Sequence, residues 1–138
     1  MDFTRLPQFQ LYLLVLKLFN LRYDLIPDNC DIRCVDSTII NRAYYSSYLY
    51  TIFWLFEVHQ HKLKSKKDFS KKSEFITEHA QARIALKKYG EEYLGNYLKK
   101  LAELRNKADY YPYDDLTSSD VDKAIGYMES IFQGLNFD

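Results

Sequence analysis

The sequence predicts an all-α fold: one domain over residues 1–138, an antiparallel up-and-down bundle of about five helices. Three observations carry that prediction. Apolar residues recur at three- and four-residue intervals through most of the chain, the period of an amphipathic helix. Only 4 Gly and 3 Pro occur in 138 residues, which leaves few breaks and favours long helices over many short strands. Hydrophobic residues make up 47 % and aromatic residues 17 % of the chain, enough to bury a core and opposite to the composition of a disordered segment.

The first helix is read over residues 6–24, with Leu11, Leu14, Val15, Leu18 and Leu21–Arg22 at helical spacing and Thr4 or Arg5-Leu6-Pro7 at its start. Ile26-Pro27-Asp28-Asn29 breaks it, and residues 30–35 form a connector. Asp36-Ser37 is placed to cap a second helix over residues 37–60. That helix carries the densest apolar surface, including Ile39, Ile40, Ala43, Tyr44, Tyr48, Trp54 and Leu55, so wide that contact on more than one side is expected. Aromatics and Thr over 48–56 would also suit a strand, but the helical pattern runs through them unbroken. A third helix is expected over 73–88, with Phe75, Ile76, His79, Ala82, Arg83 and Leu86 at matching intervals, ended by Tyr89-Gly90. A fourth follows over 91–109 on Tyr93, Leu94, Tyr97, Leu98, Leu101 and Leu104. After a turn over 112–116, Thr117-Ser118-Ser119-Asp120 caps a fifth over 119–133, which buries Val121, Ala124, Ile125, Met128, Ile131 and Phe132.

Nineteen basic side chains balance 19 acidic ones, so nucleic-acid binding would have to come from local patches and not from bulk charge. The sharpest shift in composition is HQHKLKSKKDFSKK over 59–72, with six lysines and one aspartate in 62–72. It reads as a basic surface loop: either a solvated connector or, through Lys64, Lys66 and Lys67, a contact to a phosphate backbone. His59-x-His61 does not make a metal pair, since i and i+2 diverge on a helix and no third ligand is near. Cys30 and Cys34 are expected as two thiols of the connector, with a bridge or a metal half-site as the alternative. No cofactor or metal is expected. The apolar N-terminal run is interrupted by Gln8, Gln10 and Lys17 and lacks a small-residue cleavage site. No stretch reaches the roughly 18 apolar residues of a membrane span, so the expectation is a cytoplasmic protein without a membrane partner.

Chemistry concentrates in LAELRNKADYYPY, residues 101–113. Leu101, Leu104 and Ala108 continue the buried stripe, Arg105 and Asp109 pair at i, i+4, and Asn106 and Tyr110 share an adjoining face. The helix end thereby presents a guanidinium that can grip phosphate, an amide that can bond a ribose or base edge, and a phenol that can stack. Either this tip is a ligand site, or Arg105–Asp109 only closes the helix, with Tyr110 and Tyr111 packed under the last loop.

Two segments resemble the HEPN superfamily of small prokaryotic helical domains. Asn41-Arg42-Ala43-Tyr44-Tyr45-Ser46-Ser47-Tyr48 looks like the S-R-A-Y-Y-A opening of the central helix in those domains, and Leu104-Arg105-Asn106-Lys107-Ala108-Asp109-Tyr110 is similar to the L-R-x-x-A-D-Y close of their penultimate helix. His79 sits where related members often carry a lysine- and histidine-containing helix start. The resemblance covers most of the chain. It implies a symmetric homodimer with the arginine-bearing helix ends facing each other. It also implies an RNA-binding or RNase-related role in a prokaryotic defence or toxin–antitoxin module, often beside a small nucleotidyltransferase-like partner protein.

Nuclease members of that superfamily carry Arg, then four to six residues, then His, and cleave RNA without metal. Arg105 and Asn106 match the first part, whereas Tyr110, Tyr111 and Pro112 stand where the histidine would be. The candidate catalytic set is therefore Arg105, Asn106 and Tyr110, with His79 as a substitute imidazole if its helix packs beside the Arg105 end. Arg42, Lys64, Lys66, Lys67 and Lys107 are the candidate RNA contacts. Arg105 can stabilise charge on a pentacoordinate phosphate. A phenol with a pKa of about 10 is a poor base, while imidazole exchanges protons near neutrality, so the tip reads better as a ligand site than as an active site. Arg42 is expected to clamp Asp109, or else to add a second guanidinium to an RNA groove. The competing readings are a non-catalytic dimerising interaction module and a nucleotide or small-ligand binder.

Overall fold

Helical spacing resolves into five α-helices in the computed structural model, which describes residues 2–26, 28–111 and 115–137. They are α1 (Pro7–Asn20), α2 (Ile32–His59), α3 (Glu78–Lys88), α4 (Glu92–Tyr110) and α5 (Ser118–Gly134), with short 3-10 turns between them and no strand among the described residues. The expected turn over 112–116 falls largely on residues 112–114, outside the described residues, as does Pro27 of the expected break. None of the described helices is long and apolar enough to cross a membrane.

α2 is the axis of the bundle, and α1, α3, α4 and α5 all pack on it. Its wide apolar face buries Ile39, Ile40, Ala43, Tyr44, Tyr48, Tyr50, Trp54 and Leu55. The polar residues inside that face turn back on their own helix: Ser47 Oγ donates to the Ala43 carbonyl at 2.7 Å and Thr51 Oγ1 to the Ser47 carbonyl at 2.8 Å. Hydroxyls so bonded can be buried without an orphaned donor. α2 closes at Gln60, which takes the left-handed conformation (φ 51°), while His61 N–H reaches the Leu55 carbonyl at 3.0 Å.

The start of α2 corrects the expected cap. Asp31, not Asp36, caps the helix, its carboxylate accepting from Arg33 N–H at 3.0 Å, and most of the expected connector is helix from Ile32 onward. Asp36 lies inside α2, only 3 % exposed, with Arg22 Nε 4.0 Å from its carboxylate. Arg22 comes from the 3-10 turn after α1, donates to Ser118 Oγ at 2.8 Å and packs its guanidinium over Phe19. A buried ionic pair thus ties the ends of α1, α2 and α5. Cys30 and Cys34 are exposed free thiols.

α1 keeps Leu11, Val15 and Leu18 of its expected face against the core but turns Leu14 and Leu21 of that face outward. It buries Tyr12 and Val15, while Leu14 is 51 % exposed and Leu21 also faces out. Ring packing sets this orientation: Tyr12 stacks on Phe132 at 4.2 Å, and Phe132 on Tyr50 at 4.1 Å, so the largest flat surfaces are what α1 presents to α2 and α5.

Residue pairs fix the direction of each packing. Arg22 against Asp36 and Phe9 against Tyr50 make α1/α2 antiparallel. Arg83 beside Gly95 and Lys107 beside Asp120 do the same for α3/α4 and α4/α5. Against α2, however, α3 runs parallel: His79 at its start stacks on Tyr48, while Tyr89 at its end stacks on His59 at 3.9 Å. The basic segment 60–77 makes this arrangement, carrying the chain back along the bundle before α3 begins. Gln81 clasps it, accepting from Lys64 N–H at 2.8 Å and donating to the Lys64 and Ile76 carbonyls. α3 consequently starts later than expected, at Glu78 with Thr77 as its cap. Phe75 precedes it and packs edge-on against Phe69. His59 and His61 both serve packing on Tyr89, the second through a 3.0 Å contact to its hydroxyl. Among the described residues no group of His, Cys, Asp and Glu could hold a metal ion.

Candidate functional site

The last turn of α4 has no cap from its own sequence, and its carbonyls are taken up by Arg33 from the first turn of α2. The Arg33 guanidinium donates to the Tyr111 carbonyl at 2.8 Å and the Ala108 carbonyl at 3.3 Å, and lies 3.5 Å from that of Lys107. A cation at a helix C-terminus answers both the unpaired carbonyls and the negative end of the helix dipole. Asn41, two turns further along α2, donates to Asp109 Oδ2 at 2.8 Å. Neither residue stood out in the sequence, and between them they anchor the helix end that carries Arg105.

Arg105 is held from three sides. Its Nε donates to Asp109 Oδ2 at 3.2 Å, and Nη2 donates to Tyr45 OH at 3.0 Å and Tyr110 OH at 3.3 Å. The guanidinium lies over the rings of Tyr44, Tyr45 and Tyr110 at 5.2–5.8 Å. Its side chain is only 18 % exposed. Nη1 has no hydrogen-bond partner among the described residues, so one edge of the guanidinium is left for an incoming acceptor.

Tyr44 links this cluster to His79. The Tyr44 ring is fully packed, 1 % exposed, and its hydroxyl bonds His79 Nδ1. Burial pushes the Tyr44 phenol up to about 12, with the phenols of Tyr48 and Tyr45 adding to the shift and Arg83 and Arg105 opposing it. It is thus a donor at any ordinary pH. Since His79 is its one hydrogen-bond partner among the described residues, the phenol proton goes to Nδ1, which assigns the Nε2–H tautomer. The imidazole stacks on Tyr48 at 4.2 Å. Burial, then the charges of Arg105 and Arg83, hold its pKa below the ordinary histidine value, with Glu78 opposing. His79 is neutral at neutral pH, and the lone pair a base would use is already engaged by Tyr44.

The remaining sequence candidates divide. Arg42 does not clamp Asp109; Asn41 takes that position, because the two residues differ by about 100° of helix rotation. Arg42 is exposed and makes no ion pair or hydrogen bond among the described residues, lining a polar cleft of about 250 Å³ with Ser37, Thr38, Asn41 and Asp109. Asn106 is exposed and without a hydrogen bond among the described residues, and Tyr110 reaches Arg105, not Asn106. Lys107 turns to α5, its Nζ 3.0 Å from Asp120. Asp120 is pushed up by burial but pulled down further by hydrogen bonds from Thr117 and Lys107, so it stays ionised and keeps the pair. Lys64, Lys66 and Lys67 are exposed on the clasped basic segment, with Lys64 Nζ 5.8 Å over the Phe69 ring. Tyr44 and Tyr45, which the sequence offers as packing residues and as part of the motif resemblance, are the site residues that sequence reasoning misses; the signal for their role is their adjacency to Arg42 in that motif.

As a site, this end of the molecule offers a clamped guanidinium in a cage of phenols, a free guanidinium nearby, and a neutral histidine whose basic nitrogen is occupied. It can bind an anion and stack a planar group. Comparison of the chain with protein-family models, with curated proteins and with solved structures finds no match.

Proposed function

We propose that this chain is an HEPN-like RNA-binding domain of a prokaryotic defence or toxin–antitoxin module, related to ribonucleases but binding RNA without cutting it. The observation that carries the reading is the Arg105 cluster. A guanidinium fixed by Asp109, Tyr45 and Tyr110 keeps its geometry without a ligand and leaves Nη1 without a hydrogen-bond partner among the described residues. Pre-organised guanidinium donors suit phosphate, and the surrounding phenol rings suit an unstacked base. Arg42 adds a second cation, in a cleft that it shares with Asp109. Binding is favoured over cleavage because attack by a ribose 2′-hydroxyl requires a proton acceptor. The Tyr44 phenol is pushed up to about 12, and Tyr44 occupies His79 Nδ1. The homodimer and the nucleotidyltransferase-like partner belong to the same proposal. Leu49 and Phe56, exposed one heptad apart on α2, offer the dimer an apolar surface.

The test is incubation of purified protein with labelled single-stranded RNA in EDTA, beside Arg105→Ala. The reading expects intact RNA, binding that weakens as salt rises, and at least tenfold weaker binding by the variant, the scale of one lost charge-assisted contact of roughly 1.5–3 kcal/mol. Cleavage that Arg105→Ala abolishes would make the chain a nuclease. No binding at low salt would remove RNA altogether.

A further inference from the structure

We infer that the groove between α3 and α4 is a track for the phosphate backbone of single-stranded RNA, continuous with the Arg105 tip; this rests on the RNA reading above. The groove holds a cleft of about 350 Å³, walled by Arg83 and Lys87 from α3 and by Asn96 and Lys99 from α4, with Gly95 in its floor. Arg83 and Lys99 make no ion pair or hydrogen bond among the described residues. The one carboxylate in the wall, Glu92, sits 3.6 Å from Lys87 with both side chains more than 60 % exposed. Such a pair is worth little and opens readily. With no carboxylate partner for Arg83 or Lys99 among the described residues, three cations facing one exposed carboxylate leave the groove with an excess of positive charge that an entering anion relieves. In a chain of zero net charge, their collection here is a segregation of charge and not a by-product of composition.

Spacing makes the track continuous. His79, Arg83 and Lys87 follow one another at i, i+4 and i+8, a single stripe roughly 12 Å long. A stacked strand advances about 3.4 Å per phosphate, so the stripe covers three or four nucleotides. At its far end the stripe reaches Tyr44, the residue shared with Arg105. Gly95 is what brings the two walls together: a Cβ there would stand 3.2 Å from the Arg83 carbonyl. Without a side chain at that point α4 lies close on α3, and long cationic side chains from both helices can reach one strand.

The experiment is fluorescence anisotropy with a labelled 12-nucleotide single-stranded RNA from 50 to 300 mM salt. It compares the unaltered protein, the triple variant Arg83→Gln/Lys87→Gln/Lys99→Gln, and a control of equal charge change elsewhere, Lys17→Gln/Lys100→Gln/Lys123→Gln. Circular dichroism checks that each is folded. Losing three phosphate contacts lowers the slope of log K against log salt by about 2 and weakens binding about a hundredfold near 0.1 M salt. The control is expected to keep the slope of the unaltered protein. A groove variant that binds with unchanged slope and affinity overturns the track while leaving the RNA reading intact. A control that loses as much as the groove variant also overturns it, since bulk charge would then account for the effect. If the unaltered protein binds no RNA at 50 mM salt, the RNA reading fails first, and the track with it.

Discussion

Arg33 is the residue whose removal tests the construction of the site most directly. Replacing it with Met keeps the length and apolar stem but removes the guanidinium that closes α4. Two of its contacts are good charged-donor bonds, to the carbonyls of Tyr111 at 2.8 Å and Ala108 at 3.3 Å; the third, to Lys107 at 3.5 Å, is at the limit of a hydrogen bond. The residue is part-exposed, so each good bond contributes about 1 kcal/mol, less than the roughly 1.5–3 kcal/mol of a desolvated charged donor. The helix dipole adds about 0.5 kcal/mol. Against this, Arg33 Nε is buried without a hydrogen-bond partner among the described residues, an unfavourable contact that Met would relieve. Arg33→Met should therefore lower stability by about 1.5–2 kcal/mol, or about 5–7 °C in Tm for a domain of this size. Urea unfolding should show a lower midpoint with an unchanged m value. Hydrogen exchange should speed up at the amides of residues 105–111 and little elsewhere. Arg33→Lys keeps the charge but cannot fork between carbonyls, so it should recover only part of the loss. A variant within 0.5 kcal/mol of the unaltered protein, with unchanged exchange in the last turn of α4, would refute the assignment of Arg33 as the cap.

Three further outcomes are expected. Tyr44→Phe removes the proton that stabilises neutral His79, so the imidazole pKa, followed by NMR titration, should rise toward its ordinary value; a fall would contradict the assigned tautomer. His79 and His61 both titrate below their ordinary value, chiefly through burial. The unfolded chain therefore binds protons first, and their contribution, full above about pH 6.5, is lost as pH falls toward the lowered folded values. Asp36, raised by burial, acts in the opposite sense, so the test is His61→Gln/His79→Gln: the loss of stability between pH 7 and pH 5.5 should flatten in that variant. Arg22→Met would strand the buried Asp36 carboxylate and should destabilise the protein by about 3–5 kcal/mol in urea unfolding, while Arg22→Met/Asp36→Leu should regain more than half; equal losses in the single and double variants would mean the pair is not what holds α1 to α2.

Most of the fold was legible because five helices repeat a local signal, apolar residues every three or four positions, and few residues interrupt it. What escaped the sequence was decided by contacts between distant residues. Asp36 has the chemistry of a cap, but Arg22 draws it inside α2, and Asp31 caps instead. Leu14 fits the stripe of α1, but the stack of Tyr12 on Phe132 turns it outward. At the site, the i, i+4 pair Arg105–Asp109 could be read directly, since helix geometry alone makes it. The choice between Asn41 and Arg42 as the partner of Asp109 could not, because it depends on the rotation of α2 against α4.

The least legible feature was the meeting of His79 with Tyr44, and it depends on the basic segment in an unexpected way. The lysines of residues 59–72 mark this stretch as a basic surface loop, yet the architectural effect of the segment 60–77 is to reverse the chain so that α3 lies parallel to α2. A tight turn after His59 would send α3 back antiparallel, placing its C-terminal lysines near Tyr44 and His79 at the other end of the bundle. The return path, clasped by Gln81, instead sets His79 beside Tyr44 and aligns Arg83 and Lys87 along the α4 groove. The clasp is thus coupled to the site: Gln81→Ala frees the Lys64 amide and the Lys64 and Ile76 carbonyls, and in hydrogen exchange should loosen α3 before it affects the packing of α1, α4 or α5.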